Sequence, residues 1–233
     1  ESCIVRFIST PEPCQYLPDR DWQFEYEVVP DVTNDDYGAR LRAGWRRFGH
    51  AMFTPVCEHC RQCRSLRVPL ATFAMNQSQK RAWKANHGQV TLAIGTPEAT
   101  DEKLDLFERF HAHQHEVRGW SQTTGNYDEM FVHNPFPTEE WLYRIDTRLV
   151  GVGYVDRVRD GLSLIYFFHE PAERRRSLGT FNVLSALNVA RTSALPYVYL
   201  GYYVEGCRSL EYKGRFQPNE ALERGAVWRP FLG

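Results

Sequence analysis

The sequence predicts an α+β fold: an N-terminal basic, cysteine-containing α+β subdomain (residues 1–96) followed by a domain on a mixed sheet (97–233). Three observations lead there. Cysteines two residues apart, Cys57-x-x-Cys60-x-x-Cys63, sit inside the most basic stretch of the chain. Pro97 then separates that stretch from a segment of different pattern. The later segment runs in the order helix, three-strand meander, helix, strand.

Glu12 to Asp36, rich in Pro and Asp, is expected to be loop-like and partly extended. Asn34-Asp35-Asp36 offers a helix N-cap, and Tyr37, Leu41, Trp45 and Phe48 continue at helical spacing until Gly49. A strand over Ala51 to Pro55 leads into the cysteines, and Arg64 to Phe73 alternates as a strand. Gln77 to Asn86 is a short basic helix ending at Gly88, followed by a strand at Val90 to Ile94. Asp101 to Arg118 is an amphipathic helix with Leu104, Phe107, Phe110 and His111 on one side. The meander covers Trp141 to Asp146, Leu149 to Val155 and Leu162 to Phe168, the last after an Asp160-Gly161 turn. A helix at Ser177 to Ser193 and an aromatic strand at Pro196 to Val204 complete the series. This order is that of the acetyl-CoA-dependent N-acetyltransferase (GNAT) fold.

Composition narrows the function classes. An apolar content of 42% with 14% aromatics excludes a disordered chain. No apolar run approaches the roughly 18 residues a membrane span requires. The sequence lacks the layout of a signal peptide, so cysteines at this spacing read as reduced cytoplasmic thiolates. The formal net charge is −1, yet Arg40 to Val90 holds ten Lys and Arg against one acid, Glu58. Such segregation marks a phosphate-binding face that the overall charge conceals.

Thiolates at this spacing suit Zn²⁺ or an iron–sulfur cluster, with Cys14 as the fourth ligand to Cys57, Cys60 and Cys63 and His50 or His59 as substitutes. The alternative is a set of packed thiols without an ion. Arg46, Arg47, Lys80, Arg81 and Lys84, interleaved with Trp45 and Trp83, are the candidate RNA-phosphate contacts; solvated helix faces are the plainer reading. Acetyl-CoA enzymes hold the pyrophosphate on a glycine-containing loop opening the second helix. Here that loop reads Arg176-x-x-Gly179-x-Phe181, and a phenylalanine in a position that needs a small residue argues against bound coenzyme A.

The chain resembles the aminoacyl-tRNA–protein transferases of the arginyl-transferase family, in a short form similar to the bacterial aspartate/glutamate leucyltransferases. The matching stretches are CQYLPDR at Cys14, DYGARLRAGWRRFG at Asp36, FTPVCEHCRQCRSLRV at Phe53 and SQKRAWKAN at Ser78. LVGVGYVD at Leu149, SLGTFNVLSAL at Ser177 and VYLGYYVEGCRSLEYKGRFQP at Val198 extend the match. The resemblance implies transfer of an amino acid from a charged tRNA to the N-terminal amine of a protein beginning with Asp or Glu, which enters the N-degron route to proteolysis. The reduced upstream and expanded downstream cysteine pattern favours leucyl-tRNA over arginyl-tRNA as donor. A coenzyme-A-dependent N-acetyltransferase with an accessory metal domain is the rival reading, and a non-catalytic RNA-binding module a third.

An activated ester asks for alignment, a proton acceptor and oxyanion support. Asp156 at a strand end is the candidate base, with His115 as a proton shuttle and Tyr202 or Tyr203 as hydrogen-bond donors. Core packing is the plainer role for each tyrosine. Lys213, Arg208 and Arg215 are the candidates for reading an acidic side chain. Arg174 and Arg175 are placed to meet the last tRNA phosphates.

Overall fold

The computed structural model describes residues 4–119, 125–223 and 226–231. In chain order the strands are β1 (Val5–Ile8), β2 (Glu12–Pro13), β3 (Asp21–Trp22) and β4 (Phe24–Val28). Helix α1 (Asn34–Arg42), β5 (Arg46–Phe48), β6 (Ala51–Pro55), β7 (Arg64–Pro69), α2 (Gln77–Asn86) and β8 (Val90–Gly95) follow. Then come α3 (Asp101–Arg118), β9 (Thr138–Ile145), β10 (Arg148–Val158), β11 (Gly161–His169) and α4 (Leu178–Thr192). The chain ends with β12 (Tyr197–Tyr203), a short α5 (Arg208–Glu211), β13 (Asn219–Glu223) and β14 (Val227–Phe231).

Two sheets carry the molecule. A four-stranded antiparallel sheet has the order β1-β4-β6-β5, and an eight-stranded mixed sheet runs β14-β13-β7-β12-β11-β10-β9-β8. Pro97 therefore does not divide one sheet from the other, because β7 and β8 both precede it and both belong to the large sheet. Strand β10 is apolar on both faces for a physical reason: α3 packs on one side of it and α4 on the other. Gly153 lets α4 approach closely, since a Cβ there would meet Asn182 Oδ1 at 3.1 Å. A third cluster, with Tyr37, Leu41, Met52, Val158 and Tyr199, joins α1 and the small sheet to the large one.

Local chemistry explains the helix ends. A reciprocal capping box starts α2: Gln79 N donates to Asn76 Oδ1 at 2.9 Å, and Asn76 N donates to Gln79 Oε1 at 3.0 Å. Gly119, at φ 66°, closes α3. Helix α1 is shorter than the sequence predicts. Trp45 and Phe48 continue its apolar spacing, but Gly44 at φ +92° turns the backbone out of the helix, and Arg46–Phe48 become strand β5. Thr33 caps α1, its hydroxyl accepting from Asp36 N at 3.2 Å.

Candidate functional site

The large sheet opens where β11 and β12 part. They pair in parallel only at Gly161 with Tyr197, Leu162 with Val198 and Ser163 with Tyr199. Beyond those pairs β11 stays with β10 and β12 stays with β7, so a fork widens between them. Gly201, at φ +85°, redirects β12 inside this fork. Two cations reach into it. Arg46 Nη2 donates to the Leu164 carbonyl at 2.7 Å, and Lys213 Nζ donates to the Tyr202 carbonyl at 3.1 Å. A Cβ on Gly201 would lie 3.3 Å from Lys213 Nζ and 3.5 Å from Arg46 Nη2, and the positive φ there favours glycine. Burial and the neighbouring Arg46 charge bring the Lys213 ammonium down to about 7. Burial likewise lowers Arg46.

Arg47 lies beside this fork in a different role. Its Nε donates to Asp156 Oδ2 at 2.7 Å and its Nη2 to Asp156 Oδ1 at 2.8 Å, with both side chains fully buried. Nη1 donates to the Gly49 carbonyl and to Asn134 Oδ1, and Thr138 Oγ1 donates to Asp156 Oδ1 at 2.7 Å. The bidentate pair docks the edge of the small sheet onto β10. It overturns two expectations. Asp156 is shut away in an ion pair, with Arg47 and Thr138 on its oxygens, and Arg46 and Arg47 are buried strand residues rather than phosphate contacts on a helix.

The tyrosines of β12 separate as period-two alternation requires. Tyr202 turns toward the small sheet, where its hydroxyl lies within hydrogen-bond distance of the Gly44 and Phe53 carbonyls, at 3.1 and 3.2 Å. Tyr203 packs on Phe231, with the Arg64 guanidinium over its ring. Neither phenol is directed into the fork. His115 is exposed near the end of α3. One turn earlier, His111 does meet the fork: its Nδ1 lies 2.9 Å from the Phe107 carbonyl and its Nε2 2.9 Å from the Tyr166 hydroxyl. Tyr166 belongs to the half of β11 that β12 leaves unpaired. A ring N–H donated to Phe107 leaves Nε2 to accept from Tyr166, and burial lowers His111 so that it is neutral near pH 7. The sequence showed His111 only as one member of an apolar helix face. Tyr166 carried no local signal, because its position depends on where two distant strands stop pairing.

The remaining basic candidates gather on the outside. Arg176 Nη1 donates to Ala85 O and Gln89 Oε1, and Asn86 Nδ2 donates to Arg176 O at 2.7 Å, which clamps the end of α2 to the turn before α4. At the other end of α2, Gln79 Nε2 donates to Arg215 O at 3.0 Å. Helix α2 is thus the spine of a band carrying Lys80, Arg81 and Lys84, flanked by Arg174 and Arg175 on one side and Arg215 on the other. All six are exposed, and none has an acidic partner within 4.0 Å among the described residues. Arg208, also exposed, lies on α5.

Phe181 corrects another expectation. Its ring is buried against Trp83 and Tyr143, with centroids 5.5 and 6.0 Å apart, so it does not crowd the first turn of α4. Among the described residues, apart from its chain neighbours and its own helix backbone, no atom lies within 4 Å of where a Cβ on Gly179 would sit.

The cysteines share one neighbourhood without forming a ligand shell. Burial first, then the nearby Cys57, Cys14, Cys60 and Cys207, push the Cys63 thiol up to about 12. Cys57 Sγ is engaged with the backbone of Gln23, which donates to it at 3.4 Å and accepts from it at 3.6 Å. Among the described residues no three Cys, His, Asp or Glu side chains converge as a metal site. No step of the chemistry below is routed through a metal ion or cluster. No helix among the described residues is long and apolar enough to cross a membrane.

Comparison with known proteins gives this geometry its context. Residues 12–81 match the family described as arginine-tRNA-protein transferase, N terminus, and residues 102–223 match its C terminus. An aspartate/glutamate leucyltransferase of Helicobacter hepaticus is 35% identical over 99% of both chains. Proteins of the same name from Acinetobacter baumannii and Hahella chejuensis are each 34% identical, over 96% and 94% of this chain and 83% and 94% of theirs. Among solved structures, the C-terminal domain of a putative lysylphosphatidylglycerol synthetase from Agrobacterium fabrum overlaps 77% of this chain and 54% of its own at 14% identity and a TM-score of 0.49, too distant a likeness to carry an argument. With both halves of one family matched in order and full-length relatives at a third identity, the chain belongs to the arginine-tRNA-protein transferase family.

Proposed function

We propose that this enzyme transfers leucine from leucyl-tRNA to the N-terminal α-amine of proteins beginning with Asp or Glu, marking them for proteolysis in the cytoplasm. The observation that carries the reading is the division of its cations: an exposed basic band along α2, and a cation-lined fork in an N-acetyltransferase-like sheet. The band suits a sugar–phosphate backbone. The fork lies where the parted strands leave room for an acyl group between two polypeptide edges. The relatives' name supplies the acidic acceptor and the leucyl donor.

The reaction asks little of the protein beyond alignment. The amine attacks the ester carbonyl, a C–N bond forms, and the tRNA 3′ or 2′ oxygen leaves with a proton. A peptide α-amine is roughly one-tenth neutral at pH 7. The proton lost on attack needs an acceptor, and His111, aligned by the Phe107 carbonyl and with Nε2 accepting from Tyr166, is a candidate to take it by relay through the Tyr166 hydroxyl. The test is incubation with radiolabelled leucyl-tRNA, and separately arginyl-tRNA, and peptides beginning with Asp, Glu or Ala. Leucine incorporated on the acidic peptides alone supports the reading; arginine incorporated instead changes the donor.

A second reading has one observation in its favour. With Phe181 turned inward, the first turn of α4 at Gly179 stays open to a pyrophosphate. Retention of the protein on immobilised coenzyme A, with acetyl transfer and no transfer from tRNA, would favour that acetyltransferase.

A further inference from the structure

Arg46 and Lys213 form a pair of cations without a counter-ion. Neither has a carboxylate within 4.0 Å among the described residues. Asp156 is near enough to Arg46 to be felt electrostatically, but Arg47 and Thr138 occupy its oxygens. Setting two like charges together out of water is unfavourable in the free protein. Their known bonds, to the carbonyls of Leu164 and Tyr202, would be made as well by neutral amide side chains. Among the described residues Arg46 donates to one carbonyl, that of Leu164, and Lys213 to one, that of Tyr202, which leaves most of their N–H groups uncommitted there. Such an arrangement is built for an anion that arrives later.

We infer that Arg46 and Lys213 are the specificity pocket for the acceptor, binding the side-chain carboxylate of the N-terminal Asp or Glu between them at the throat of the fork. This rests on the transferase reading above and names the residues that select its peptide. Both cations reach one place: a Cβ on Gly201 would lie 3.3 Å from Lys213 Nζ and 3.5 Å from Arg46 Nη2, and an anion bridging them needs only one carboxylate. The two cations flank Gly201 between the strands where the acyl group is to be received, so a side chain held there keeps its own α-amine close to the ester. A tRNA phosphate is flanked by sugars on both sides and is met better by the open band on α2. Arg208 and Arg215, exposed to solvent, offer a carboxylate much less than a desolvated pair does.

The decisive comparison is between peptides beginning with Asp and with Asn, equal in shape and different in charge. For the wild-type enzyme kcat/KM should favour Asp strongly. In Lys213→Met that preference should fall about tenfold or more, through KM for the Asp peptide, and Lys213→Arg should restore part of it. A Lys213→Met enzyme that slows equally on both peptides, or that loses affinity for leucyl-tRNA while keeping its preference for Asp, overturns the inference. A wild-type enzyme that labels no peptide from any charged tRNA sinks the transferase reading instead. Should the variants not fold, the wild type itself answers by calorimetry. The groups facing Lys213 are Arg46 from β5 and the Cys207 thiol beside α5. Binding of an Asp peptide near pH 7.5 should draw a proton onto the lysine, seen as buffer-dependent heat, and an Asn peptide should not; equal proton uptake for both overturns the pocket.

Discussion

Two sets of basic residues, each begun in the same basic stretch of sequence, meet opposite fates in this molecule. Lys80, Arg81 and Lys84 stand in solvent along α2, joined by Arg174, Arg175 and Arg215 from distant segments. Arg46 and Arg47 disappear into the contact between the two sheets, and Lys213 joins them from the other end of the chain. The outer set is bound by salt-sensitive, long-range attraction that suits a polyanion. The inner set acts at contact distance in a drier setting, where each hydrogen bond and each missing counter-ion has larger consequences. Charge density along a sequence therefore marks where cations are, and burial decides what they can do.

The largest effect should come from the buried pair. Asp156→Ala leaves Arg47 uncompensated and should cost about 3–5 kcal/mol of folding stability, read by denaturant titration. A variant that is equally stable yet inert in transfer would restore Asp156 as a base and erase the distinction between the sets. Next comes the outer band. Replacing Lys80, Arg81 and Lys84 together with Ala should weaken tRNA binding and reduce the slope of log affinity against log salt by about two to three, with the thermal midpoint nearly unchanged. An unaltered slope would move the tRNA elsewhere. Asn76→Ala removes half of the capping box that holds α2 and should cost about 1 kcal/mol. If that change leaves stability intact but lowers tRNA affinity, the cap matters to the band rather than to the helix.

The last effect is a pH dependence. Lys213 titrates near 7 when folded against an ordinary 10.5, so between those values the unfolded chain binds the extra proton. Stability should therefore rise with pH across that window in the wild type, more than in Lys213→Met. An acidic peptide, by favouring the charged lysine, should flatten the rise. A wild type and Lys213→Met with the same pH profile would place the lysine in solvent.

Much of this was legible in the sequence where the signal is local. The limits of α2, α3 and β6 follow from caps, apolar spacing and turn residues, and the meander follows from alternation. Strand β5 was not legible, since Trp45 and Phe48 keep helical spacing and only the positive φ of Gly44 breaks it. The fork could not be seen either. It arises because β12 pairs with β7, more than a hundred residues earlier, and β11 with β10. Lys213 could be suspected from chemistry alone, but its partner Arg46 could not, because no sequence pattern says which of two adjacent arginines turns toward a distant glycine. The cysteines are the converse case. Their spacing is a strong local signal, and the structure gathers them without arranging their sulfurs around one point.

The contrast between the two sets comes down to one ratio: kcat/KM for an Asp-initiated peptide over its Asn counterpart, measured side by side in Lys213→Met and in the Lys80, Arg81 and Lys84 triple alanine variant. The ratio should collapse in the first and hold its wild-type value in the second, even where that second enzyme turns over slowly. A ratio that survives in Lys213→Met, or that collapses in the triple variant, would contradict the assignment of inner cations to the peptide and outer ones to the tRNA.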